Sequence, residues 1–271
     1  MKLNDKIVII TGASSGIGKA MAIEFASRGA NLILASRQYV ALCELTETLI
    51  NQYNIQAIAV QCDVSIEEDC EQLIKQAMLT FGHIDILINN AGISMRALFK
   101  DADLKVLKSL MDVNFWGTVY CSKYALPHLL KTKGSVVGVS SIAGYKGLPG
   151  RSGYSASKFA INGFLDSLRI ENLKTGVHVM TACPGFTASN IRNTALAKDG
   201  SPQGESTLQE NKMMTAGEVA KIIADGIENR KRTIIMTGQG KLTVLFSKLF
   251  PSWLDKLVYN TFAKEKDSLL K

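Results

Sequence analysis

Long apolar runs are missing from this 271-residue chain: no stretch approaches the roughly 18 consecutive residues that a membrane-crossing helix needs. The apolar stretch nearest the N-terminus, Ile7 to Ile10, is too short for a signal-peptide core and has no small-residue cleavage site. A cytoplasmic location is therefore expected. Cysteine is sparse and unpatterned. The five cysteines (Cys43, Cys62, Cys70, Cys121, Cys183) are odd in number, lack a Cys-x-x-Cys spacing and each fall in or beside an apolar stretch. That argues against a disulfide framework and for reduced packing residues. His83, His128 and His178 stand apart with no metal-ligand spacing, so no metal site is expected. Excess charge of one sign is also missing from most of the chain. The formal net charge is +7, yet residues 230–271 alone carry nine basic against three acidic side chains. A basic tail on a near-neutral body gives poor support for nucleic-acid binding.

What is present is a regular alternation. With 46% hydrophobic residues the chain can bury one sizeable core, and its length is within reach of a single α/β domain. β-rich runs at Ile7–Ile10, Leu32–Ala35, Ala57–Gln61, Ile84–Ile88, Ser135–Val139, His178–Ala182 and Thr233–Met236 alternate with helical patterns such as Leu73, Ile74, Ala77 and Met78. Such alternation implies parallel strands joined by right-handed crossovers. The expected fold is α/β: a Rossmann-type, doubly wound parallel sheet of about seven strands with helices on both faces. The main domain is expected to span residues 1–238, with a helical extension at 239–271. The polar segment at 187–214 lacks sustained periodicity and follows a strand, which fits a lid over a site. Thr215-Ala216-Gly217-Glu218 then fits a capping box opening a helix towards Glu228.

The first strand runs into Thr11-Gly12-Ala13-Ser14-Ser15-Gly16-Ile17-Gly18, followed by a helical pattern. Gly12 permits a sharp turn, Gly16 lets backbone approach a pyrophosphate, and Gly18 allows close helix–strand packing. The helix N-terminus then offers N–H groups and partial positive charge to phosphates. Gly12, Ser14, Ser15, Gly16, Ile17 and Gly18 are thus candidate dinucleotide contacts. The second strand ends without the acid that an NAD site uses for the ribose 2′-hydroxyl. Ser36 stands there instead, and Arg37 follows with a guanidinium suited to a 2′-phosphate, which points to NADP(H).

Tyr154 and Lys158 share a helical face at i, i+4, a spacing that is weak by itself. Ser140-Ser141 follows the strand Ser135–Val139 and should bring a hydroxyl to the carboxyl edge of the sheet, where ligands bind in open α/β folds. With Asp63-Val64, Asn89-Asn90-Ala91-Gly92, Asn114 and Pro184-Gly185 in order, the chain resembles the short-chain dehydrogenase/reductase family from Lys6 to about Thr237. The resemblance implies an oxidoreductase in which Tyr154 is the general acid or base. An ordinary phenol has a pKa near 10, so its anion needs stabilising, and Lys158 would supply that. Ser141 would hydrogen-bond the carbonyl oxygen, and Asn114 would hold a water in a proton relay to Lys158. It further implies that Asp63 and Val64 lie near the adenine, and Asn90, Ala91 and Gly92 near the ribose and sheet edge. Pro184 and Gly185 would lie against the nicotinamide, with Thr187 or Ser189 on the carboxamide and Ser15 assisting Arg37.

Substrate candidates are Ser94, Met95, Ile142, Ala143, Leu148, Phe186, Met213 and Met214, a mainly apolar set that favours a small lipophilic carbonyl or alcohol over a sugar. A 3-oxoacyl thioester reductase, or a non-catalytic NADP(H)-binding sensor, are the alternatives. After Gly238 the chain continues with Leu242, Leu245, Phe246, Leu249, Trp253, Leu257 and Phe262 among lysines, and Pro251 divides the stretch. This pattern looks like the hydroxysteroid dehydrogenase-like, lipid-active branch of the family. The stripe suits a peripheral membrane contact, packing on the protein's own pocket, or a subunit interface. The resemblance implies a homodimer or homotetramer.

Overall fold

The computed structural model describes residues 2–188, 191, 194–204, 213–264 and 268–270. At its centre β1 (Ile7–Thr11) is buried along its whole length. Period-two alternation sends Val8 and Ile10 into one apolar cluster and Ile7 and Ile9 into another. Six further parallel strands complete a seven-stranded sheet: β2 (Asn31–Ser36), β3 (Ala57–Gln61), β4 (Ile86–Asn89), β5 (Ser135–Val139), β6 (His178–Cys183) and β9 (Thr233–Ile235) flank β1 in the order β3-β2-β1-β4-β5-β6-β9. Being covered on both faces, the strands read as continuous Val/Ile/Leu runs rather than as alternating ones.

On one face lie α1 (Gly16–Ser27), α2 (Tyr39–Tyr53) and α7 (Ala216–Glu228), which bury residues such as Phe25, Leu45 and Ile223. On the other lie α3 (Glu67–Phe81), α5 (Gly117–Thr132) and α6 (Ser152–Glu171), with Leu73, Leu129 and Leu165 inside. The expected doubly wound sheet is thus the observed one. The capping box also forms: the Thr215 side chain accepts from the Glu218 backbone N–H, and the Glu218 carboxylate accepts from the Thr215 backbone N–H at 2.7 Å. Between β4 and α5 the chain forms α4 (Leu104–Leu110) and then a π-helical turn over Met111–Trp116.

The polar segment 187–214 lies partly outside the described residues. Its two ends pair as short parallel strands, β7 (Thr187–Ala188) with β8 (Met214–Thr215). Leu196 is pinned to the stretch after β4: its N–H donates to the Ser94 carbonyl at 2.9 Å, and its carbonyl accepts from Arg96 N–H at 2.9 Å. The chain ends in α8 (Gly238–Leu249) and α9 (Pro251–Ala263), with Pro251 at the start of the second helix, where its missing N–H costs nothing.

Candidate active site

A cleft of about 1330 Å³ runs along the carboxyl edge of the sheet. Its first end is made by the turn between β1 and α1. Gly12 and Gly16 take positive φ angles of 65° and 53°, which side chains rarely tolerate. At Gly18 a Cβ would lie 2.1 Å from the Gly12 carbonyl oxygen and 2.6 Å from Asn90 Nδ2. Gly18 therefore serves the seat of the turn rather than general helix packing. The Ser15 hydroxyl, among the described residues, does not cap α1, so the helix meets the cleft with main-chain N–H groups. Asn90 fastens the turn: its Nδ2 donates to the carbonyls of Thr11 at 2.9 Å and Gly12 at 3.3 Å. Thr11 answers by accepting the backbone N–H groups of Asn90 and Ala91 on its Oγ1.

Ser36, Arg37, Asp63 and Val64 line the same end. Ser36 accepts the Gln38 N–H at 3.2 Å. Arg37 is 66% exposed and stands 3.7 Å from the Asp63 carboxylate, a loose pair that solvent screens. The Asp63 carboxylate is also committed to the backbone N–H and hydroxyl of Ser65.

At the middle of the cleft the catalytic candidates converge on α6. Gly138 in β5 makes this possible, since a Cβ there would meet Leu165 at 2.4 Å; the bare backbone lets α6 lie close on the sheet. Gly144, one turn past Ser141, likewise abuts Asn162, Ser140 and the Lys158 carbonyl. Lys158 is buried, and its ammonium donates to the Val139 carbonyl at 2.9 Å and stands 5.7 Å from the Tyr154 ring centroid. Burial lowers its pKa to about 8, with Cys183 acting in the opposite direction. Burial also raises the pKa of the Tyr154 phenol, while a hydrogen bond with Ser141 and the nearby Arg151 guanidinium pull it back. Ser141 accepts the Ala143 N–H at 3.1 Å, which orients its hydroxyl.

Among the described candidates, Asn114 and Met95 do not line the cleft; the others do. Asn114 is fully buried in the π-helical turn. Its Oδ1 accepts the Ile93 N–H at 2.8 Å, and its Nδ2 donates to the Ile93 carbonyl at 3.0 Å and to Ser157 Oγ at 2.9 Å. Both amide hydrogens are given to protein groups, and the side chain ties the loop after β4 to α6. Met95 is a correction to the substrate set. It is fully buried with Ala97, Val106 and Leu110, because an apolar side chain beneath the cleft gains more from that cluster than from the cavity. Ser189 lies outside the described residues.

Some cleft groups were not foreseen. Arg151, one turn before Tyr154, lines the cleft and donates to Ser94 Oγ at 3.4 Å. The last helix, α9, contributes Leu254, Leu257, Val258, Thr261 and Phe262; for Leu257 and Phe262 this is one of the fates expected of the C-terminal stripe, packing on the protein's own pocket. Thr11 stands inside the glycine-rich motif and could have been found there; Arg151 carried no signal beyond its place ahead of Tyr154.

A family model described as short chain dehydrogenase matches residues 6–200, and the chain belongs to that family. It is an oxidoreductase acting on CH–OH or C=O groups. The 11-beta-hydroxysteroid dehydrogenase 1A of Arabidopsis thaliana is 34% identical over 272 residues, covering 96% of this chain and 77% of that protein. Dehydrogenase/reductase SDR family member 7B of Mus musculus is 32% identical over 271 residues, covering 98% and 84%. Among solved structures, a short chain dehydrogenase/reductase from Burkholderia phymatum in complex with NAD shares the fold, with a TM-score of 0.84 at 24% identity over 93% of this chain and 96% of that one.

Proposed function

We propose that the protein is an NADP(H)-dependent oxidoreductase of small lipophilic ketones, aldehydes or secondary alcohols, with Tyr154 as its general acid and base. The observation that carries this reading is one continuous cleft with a phosphate-suited glycine turn at one end and Ser141, Tyr154 and Lys158 in its middle. The residues fit a dinucleotide. Gly12 and Gly16 take positive φ angles and Gly18 sits tight against the Gly12 carbonyl, so the turn carries the helix N-terminus to the cleft without a side chain in the way. Gly12, Ser14, Ser15, Gly16, Ile17 and Gly18 would hold the pyrophosphate, Asp63 and Val64 the adenine, and Asn90, Ala91 and Gly92 the ribose. Pro184, Gly185 and Thr187 would hold the nicotinamide. When bound, that ring supplies or takes the hydride.

Arg37 supports NADP(H) over NAD(H): it is the exposed cation beside Ser36, where an acid would repel a 2′-phosphate. The chain's own groups do the rest. Ser141 donates a hydrogen bond to the substrate oxygen, and Tyr154 delivers its proton there in reduction or removes it in oxidation. Lys158 keeps a positive charge near the phenol, and Asn114 positions the loop beneath. Tyr154→Phe should lower turnover with NADPH by about 10²-fold to 10⁴-fold, while NADPH binding, read by its fluorescence, is preserved. Retained turnover would overturn the assignment.

The outer faces of α8 and α9 leave Leu242, Leu245, Leu249, Phe250 and Trp253 exposed. No helix of the described residues is long and apolar enough to cross a membrane. A homodimer or homotetramer contact, or a peripheral membrane contact with the flanking lysines, would cover this surface. Sedimentation velocity with and without liposomes tells the two apart.

A further inference from the structure

Helix α9 turns one stripe toward the cleft. Leu254, Leu257, Val258, Thr261 and Phe262 stand at i, i+3, i+4, i+7 and i+8, which is a single helical face. Leu254 is buried, Val258 and Phe262 are half-buried, and Leu257 and Thr261 are exposed at the mouth. The stripe is continuous with the cavity that holds Ser141 and Tyr154, and Thr261 supplies its one polar side chain.

The wall is tied to the catalytic loop at several points. At Gly240 in α8 a Cβ would meet Ile142 at 2.6 Å, so α8 is seated directly on the residue after Ser141. Lys146, largely buried, forms an ion pair with Asp255 on α9. Farther on, Leu269 packs over Gly150, where a Cβ would lie 2.7 Å from its Cδ1. The C-terminal helices and the segment beyond them therefore touch the stretch between Ser141 and Tyr154 near both its ends.

We propose that the inward stripe of α9, centred on Val258 and Phe262, is the subsite for the non-reacting part of the substrate, which is an extended apolar chain, and that the Lys146–Asp255 pair holds this wall in place. The proposal rests on the carbonyl and alcohol reading above and adds to it the substrate's shape and the residues that select it. A compact substrate would be reduced without filling the stripe. An extended one buries a further methylene for each step along it.

The test uses the full-length protein, NADPH and a series of unbranched 2-alkanones of increasing length. For the wild type, kcat/KM should rise about fourfold per added methylene until the wall is filled. Val258→Trp should flatten that slope, and Asp255→Asn should flatten it in part, with the swapped pair Lys146→Asp/Asp255→Lys restoring it. A variant that is merely misfolded lowers all chain lengths alike and keeps the slope. A flat wild-type slope, or an unchanged one in Val258→Trp, overturns the proposal. So does loss of self-association or liposome binding in Val258→Trp with the slope intact, because the stripe then belongs to an interface. If the wild type reduces no ketone of any length, the carbonyl reading fails separately. Calorimetric binding of the same alkanones to wild type and Val258→Trp then decides the subsite, and length-independent or unaltered binding overturns it.

Discussion

The two ends of the cleft are built from different material. The α1 end is shaped largely by main chain: glycines at positive φ, a helix N-terminus, and the carbonyls of Thr11 and Gly12 fastened behind them by Asn90. At the α9 end they are side chains drawn from distant parts of the chain, among them Ile142, Leu148, Phe186, Met214 and Val258. Backbone chemistry demands particular residues at fixed spacings, so it leaves a motif. An apolar wall demands only bulk and hydrophobicity at each position, and many sequences satisfy that.

The contrast can be broken by substitution, and the α1 end should give the largest effect. Gly18→Ala adds a single methyl where the Gly12 carbonyl stands 2.1 Å away, so the turn must shift. Cofactor affinity should fall at least about tenfold, with a stability loss of about 1–3 kcal/mol by thermal or denaturant unfolding. Unaltered affinity would mean that the turn is not the phosphate cradle. Arg37→Asp, at the same end, should act selectively between the two dinucleotides. Losing the charge-assisted contacts to a 2′-phosphate should weaken NADPH about a hundredfold relative to NADH. An unchanged ratio of the two dissociation constants would remove the case for NADP(H).

The smallest effect is expected from Arg151, beside Tyr154. Burial raises the Tyr154 pKa and Arg151 opposes that rise. Arg151→Gln should therefore move Tyr154 deprotonation to higher pH. Alcohol oxidation, which needs the phenolate, would then set in at higher pH, and carbonyl reduction, which needs the phenol, would persist to higher pH. Arg151→Lys should keep the original profile. If Arg151→Gln lowers rates without moving the pH profile, Arg151 holds Ser94 and has no electrostatic part.

Legibility followed the same division. The parallel strands showed as apolar runs because both faces of the sheet are covered, and Ser135–Val139 begins and ends where its β run does. The strand expected at Ile84–Ile88 is instead Ile86–Asn89. Its start is displaced because the Asp85 side chain accepts the Ile7 N–H at 3.0 Å, a side-chain bond standing where a ladder bond was expected. The π-helical turn under Asn114 had no signature, since one extra residue in a helical turn alters hydrogen bonding without altering composition. Arg151 and Thr11 were visible as residues but not as partners.

Sequence by itself determined the fold class, the glycine-rich turn and the Tyr154–Lys158 pair on one helical face, because these rest on local periodicity and on backbone angles that few residues tolerate. Only the tertiary structure decided that Asn114 braces Ile93 and Ser157, that Met95 lies beneath the cleft, and that α9 faces Tyr154's cavity. Those outcomes depend on which surfaces meet across long loops. An amphipathic stripe or a buried amide is compatible with several neighbours until the sheet brings one of them into contact.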